Sequence, residues 1–69
     1  MQLTIETDVE ADGRWMASVP ELSGVHAYGA TESDAVAAAR ALALRVLADR
    51  VESGESIPNE LSFSLVRAA

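Results

Sequence analysis

With 69 residues, no cysteine and eleven acidic side chains against five basic ones, the chain has a formal charge of −6, yet 49% of it is hydrophobic. The apolar share excludes an intrinsically disordered chain, the missing cysteine excludes disulfide frameworks, zinc knuckles and thiol nucleophiles, and the acidity argues against nucleic-acid binding, which is built from basic side chains that displace counterions. No apolar run approaches the ~20 residues that span a bilayer and no basic-then-apolar segment opens the chain, so the expected location is the cytosol.

A single domain over residues 1–69 is expected, because domains usually run to about 100–150 residues. Residues Gln2 to Val9 alternate, with Leu3, Ile5, Thr7 and Val9 on one side and Gln2, Thr4, Glu6 and Asp8 on the other. That period of two predicts a strand with one buried face. The segment Glu10-Ala11-Asp12-Gly13 reads as a tight turn, since glycine accepts positive φ. A second strand is expected over Arg14–Val19, with Trp15, Ala17 and Val19 facing the core. Pro20 lacks a ladder donor and ends it, and Glu21 to Gly24 form a bend. A short third strand fits Val25–Tyr28, closed by Gly29.

Thr31 is placed to cap a helix over Glu32–Glu52, with Asp34 completing an imperfect capping box and Glu32 and Asp34 at the positive end of the helix dipole. Gly54 supplies the left-handed residue past its end, and Pro58 prevents resumption. At 100° per residue, Ala35, Val36, Ala39, Leu42, Ala43, Leu44, Val46, Leu47 and Val51 spread over an arc of about 200°, twice the ~100° stripe that covers a sheet. Leu61, Phe63 and Leu65 then alternate with Ser62, Ser64 and Val66 in a fourth strand.

The fold class is therefore α+β, in the order β-β-β-α-β. Hairpins make the first three strands antiparallel, and a right-handed helical crossover brings the fourth in parallel beside the first. The result is a four-stranded mixed sheet of order 3-2-1-4 with one helix on one face. The other face carries polar residues together with Met16, Tyr28 and Val66. Small domains have thin stability, so the surplus apolar arc and two open sheet edges predict a homo-oligomer. Leu44, Val51 and Val66 are the candidate oligomer contacts.

The run Gly13-Arg14-Trp15-Met16-Ala17-Ser18-Val19-Pro20-Glu21-Leu22-Ser23-Gly24, then Tyr28-Gly29-Ala30-Thr31, then an alanine-rich helix ending in Gly54-Glu55-Ser56-Ile57-Pro58, resembles the HicB-like antitoxin family. The likeness covers nearly the whole chain. It implies a partial RNase H-like β-β-β-α-β domain and a role as the antitoxin half of a type II toxin-antitoxin pair. In such a pair the domain masks a small, basic, HicA-like RNA-cleaving toxin. Ser23 stands where many relatives have a second proline. The chain also ends at Ala69, where full-length antitoxins of this type continue into a DNA-binding module, so direct DNA binding is not expected.

No enzyme is expected. Glu6 and Asp8 share a strand face, but hydrolysis on two metal ions needs further converging carboxylates. A residual nuclease would show Mg²⁺- or Mn²⁺-dependent RNA cleavage that is lost in Asp8→Asn. His26 is the only histidine and reads as a partly exposed strand residue. Arg40, Arg45 and Arg50 wind around the helix without forming one basic stripe. No cofactor or metal ligand set stands out. The candidate partner-binding residues are Glu6, Asp8, Trp15, Met16, Glu21 and Tyr28: acidic groups suited to a cationic partner, with large side chains of the kind that anchor interfaces. A stand-alone scaffolding homo-oligomer without a toxin is the alternative.

Overall fold

The computed structural model describes residues 1–67 and places five elements: β1 (Gln2–Val9), β2 (Trp15–Ser18), β3 (His26–Gly29), α1 (Glu32–Glu52) and β4 (Ser62–Arg67). The sheet has the order β3-β2-β1-β4, with β1 antiparallel to β2, β2 antiparallel to β3, and β4 parallel to β1. This is the α+β mixed sheet expected, and β1 and α1 have the expected bounds. The second and third strands are shorter or shifted by a residue. Val19 and Val25 lie beyond the ladder proper but still join the two strands through Val19 N–H to Val25 O, at 3.0 Å.

The turn after β1 closes through Glu10 N–H to Arg14 O and Gly13 N–H to Glu10 O, with Gly13 at φ 88°. Thr31, in extended conformation, caps α1 by accepting the Asp34 amide on Oγ1 at 3.1 Å. At the other end Glu55 N–H reaches Arg50 O at 2.9 Å and Gly54 N–H reaches Val51 O at 3.0 Å, with Gly54 at φ 93°. These paired bonds are a Schellman stop, which satisfies carbonyls the helix would otherwise leave open.

The core is a single cluster. Leu3 and Ile5 of β1, Ala17 of β2, and Val19, Leu22 and Val25 around the bend meet Ala35, Ala39, Ala43 and Leu47 of α1. The helix therefore buries a narrow i, i+4 row that is mostly alanine. Small side chains bring the helix close to the sheet, and the residue beneath its first turn is Gly29. The rest of the wide apolar arc has a different fate: Val36, Leu42 and Val46 are half-buried, while Leu44 and Val51 are exposed. Length explains part of this, since a helix of 21 residues is about 31 Å long, whereas the four-residue strands β2 and β3 span about 13 Å. The helix backbone rests on β3, β2 and β1, and reaches β4 only through side chains, Glu32 to Arg67 and Arg40 to Phe63.

Candidate protein-binding surface

The sheet face turned away from α1 is built by the strand register. Met16 lies between Tyr28 on β3 and Asp8 on β1, which makes one row across the sheet. Ser18 lies between His26 and Glu6, and Glu6 neighbours Val66 on β4, which makes a second row. Period-two alternation puts all these side chains on one side because the opposite parity, Leu3, Ile5, Thr7 and Ala17, is buried. Glu6, Asp8, His26, Tyr28 and Val66 are exposed, and Met16 and Ser18 are half-buried.

The aromatic corner of this face is organised by Arg14. Asp12 holds the arginine by accepting its Nε–H at 2.9 Å and its backbone N–H at 3.0 Å. The guanidinium then lies 4.8 Å from the centre of the Tyr28 ring, a cation–π geometry. His26 meets the same ring edge-on, 6.5 Å between centroids at 85°. The Arg14 amide first, and then its side chain, hold the Asp12 carboxyl below its usual range. Glu6 and Asp8 stand beside this corner without a basic residue in ion-pair contact among the described residues.

The structure brings together four of the six expected partner-binding residues: Glu6, Asp8, Met16 and Tyr28. Trp15 has the other parity, pairs with Gly29 and packs half-buried against the core. Glu21 is exposed, but both carboxylate oxygens are engaged by Thr4, whose N–H donates at 3.0 and 3.1 Å and whose hydroxyl donates at 2.7 Å. The Thr4 amide lies on the β2 side of β1, where Pro20 has already ended the neighbouring strand, so the carboxylate replaces the missing ladder acceptor. Those bonds, the amide first, lower the Glu21 pKa from its ordinary value.

Sequence reasoning missed a polar clamp at the opposite end of β1. Arg67 donates from Nε and Nη2 to the two oxygens of Glu32, at 2.8 and 2.7 Å. The buried Thr7 hydroxyl donates to the same carboxylate at 2.8 Å. Arg67 foremost, and Thr7 after it, hold the Glu32 carboxyl below its ordinary range, and the Arg67 guanidinium is shifted up in return. The sequence contained one signal for this: a threonine in an apolar row needs a hydrogen-bond partner when buried. Among the described residues, no three His, Asp or Glu side chains gather closely enough to hold a metal ion. No helix among them is long and apolar enough to cross a membrane.

A mixed sheet of order 3-2-1-4, covered by one crossover helix and open on its other side, defines a small α+β domain that presents a sheet face to its surroundings. The crystal structure of the N-terminal domain of Burkholderia pseudomallei antitoxin HicB has this fold. The likeness has a TM-score of 0.72 and 26% sequence identity, over 84% of this chain and 68% of that one. The chain thus has an architecture similar to that of an antitoxin HicB N-terminal domain. No family model matches the sequence, and no curated protein matches it.

Proposed function

We propose that residues 1–69 act as a single antitoxin-like protein-binding domain, which self-associates and sequesters a small, basic, RNA-cleaving toxin of the HicA-like kind. The observation that carries this reading is the uncovered sheet face, where Glu6 and Asp8 flank Met16 and Tyr28. Exposed carboxylates free of local ion pairs attract and orient a cationic partner. The neighbouring tyrosine and methionine supply apolar contact area once the partner is seated. The likeness to a HicB N-terminal domain supports the antitoxin role, and the charge of −6 weighs against direct DNA binding.

Co-expression with the product of the neighbouring open reading frame tests the proposal, which expects that product to be a small, basic, toxic protein. Relief of that protein's toxicity by the wild type, and loss of relief in Glu6→Arg/Asp8→Arg with the fold intact by circular dichroism, is the expected result. Relief that survives the charge reversal removes the sheet face from the mechanism. A neighbour that is harmless and does not bind supports the second reading, a scaffolding homo-oligomer, which is favoured by the exposed apolar residues Leu44, Val51, Leu65 and Val66.

A further inference from the structure

Strand β4 is the outer strand on the β1 side of the sheet, so one row of its backbone groups has no neighbour. Which row is set by the parallel ladder. Ser62 N–H donates to Met1 O at 3.0 Å, so the amides of Ser62, Ser64 and Val66 turn toward β1, and those of Phe63, Leu65 and Arg67 turn outward. Edges of this kind are normally blunted by lysine, proline, a bulge or an inward-pointing charge. None of these occurs between Ser62 and Val66 in this chain. The strand instead exposes an apolar residue on each face, Leu65 53% exposed on the helix side beside Phe63 and Val66 50% exposed on the other side beside Ser62 and Ser64. On the helix side a groove between Val36, Arg40 and Leu65 continues the same surface, and the Arg40 guanidinium lies 5.9 Å from the Phe63 ring centre.

We propose that β4 is the surface through which two copies of this chain associate, their edges pairing antiparallel about Ser64 into one continuous sheet. Three features favour a second copy as the occupant. First, pairing about Ser64 sets Phe63 opposite Leu65 of the second copy, and Leu65 opposite its Phe63. An apolar cluster thus closes on itself where β4 escapes the helix. Second, both members of each such pair have outward-facing N–H and C=O groups, which is what a hydrogen-bonded antiparallel pair requires. Third, a chain of charge −6 repels its own copies, yet none of its eleven acidic residues lies within residues 61–67. Along β4 itself the dyad therefore sets no carboxylates opposite one another, and Glu32, which lines the groove beside Leu65, is already paired with Arg67. Arg40, which lines the groove and lies over Phe63, stands over the same junction. The open face with Glu6 and Asp8 stays free, so the dimer presents two such faces on one side of a single sheet.

This inference rests on the self-association part of the proposed function and is independent of the toxin, because the purified chain alone decides it. Sedimentation equilibrium is expected to show a concentration-dependent dimer. Leu65→Lys places an unpartnered charge on each side of the dyad and should weaken association at least about tenfold, with an unchanged circular dichroism spectrum because the site is half exposed. Ser64→Cys provides the positional test in a chain that has no cysteine. Ser64 meets its own copy as a non-hydrogen-bonded pair, with Cα atoms about 4.5 Å apart, within disulfide range. Mild oxidation should therefore cross-link Ser64→Cys, while His26→Cys on β3 stays uncrosslinked. A monomer at all concentrations overturns self-association itself. A dimer indifferent to Leu65→Lys, or cross-linked through His26→Cys in preference to Ser64→Cys, overturns the β4 edge as its site.

Discussion

Gly29 lies directly beneath the first turn of α1: a Cβ at this position would stand 2.5 Å from the Ala35 amide nitrogen and 2.8 Å from Asp34 Cβ. Backbone and Cβ atoms cannot swing aside as a flexible side chain does, so the helix start must lift or the strand must bend. Gly29→Ala is accordingly expected to destabilise the domain by about 1–3 kcal/mol, the usual penalty for overpacking. Urea denaturation measures it, and an unchanged midpoint would show that α1 rises off β3 without cost.

The same close approach depends on the alanine row. Ala39 is fully buried, while Ala38, the next residue back along the same helix, is exposed. Ala39→Leu should cost about 1–3 kcal/mol by forcing helix and sheet apart, whereas Ala38→Leu should leave the denaturation midpoint nearly unchanged. Equal effects at both sites would mean that side-chain volume is not what sets the distance between α1 and the sheet.

Glu32 joins three elements, taking hydrogen bonds from Arg67 on β4 and Thr7 on β1 while starting α1. Its folded pKa lies below its ordinary value of 4.5. The stabilisation is therefore fully present above that value and is lost as pH falls through the depressed folded-state pKa. Glu21 and Asp12, also lowered, act in the same direction. Melting temperature should fall steeply on acidification below the ordinary carboxylate range, and the fall should be shallower in Glu32→Gln, which is already less stable at neutral pH. Parallel curves for the two proteins would remove Glu32 from the acid transition.

Glu21 stands in for a strand that Pro20 has ended, so its removal should expose one specific backbone position. In Glu21→Ala the Thr4 amide is expected to exchange with solvent faster, while the amides of Leu3 and Ile5, which face β4, keep their protection. Hydrogen exchange followed by NMR resolves the residues individually. Unchanged exchange at Thr4 would show that water serves there as well as the carboxylate.

Much of this architecture was legible in the residues themselves. Alternation from Gln2 to Val9 and from Leu61 to Val66 marked two strands because a strand's period is two, and Asp12-Gly13 marked the turn between hairpin strands. Thr31 and Gly54 bounded the helix correctly, because capping depends on neighbours three to five residues away. The candidate surface was partly legible: strand parity placed Glu6, Asp8, Met16 and Tyr28 together. It equally pointed Trp15 toward the core, against which it packs half-buried.

The parts that were not legible depend on residues far apart in the chain. The engagement of Glu21 by Thr4, and of Glu32 by Arg67, spans 17 and 35 positions, and no local pattern encodes such a separation. The width of the helix's apolar arc likewise said nothing about which residues it would bury, because that depends on how far the strands extend beneath it.

Element type and order, and the ends of the helix, were determined by the sequence alone, since period, capping and backbone freedom act within a few residues. Tertiary structure decided which carboxylates are engaged and which stand free, and why β4 is left uncovered. Those outcomes follow from strand register and from the helix seating itself, through small side chains, over only three of the four strands.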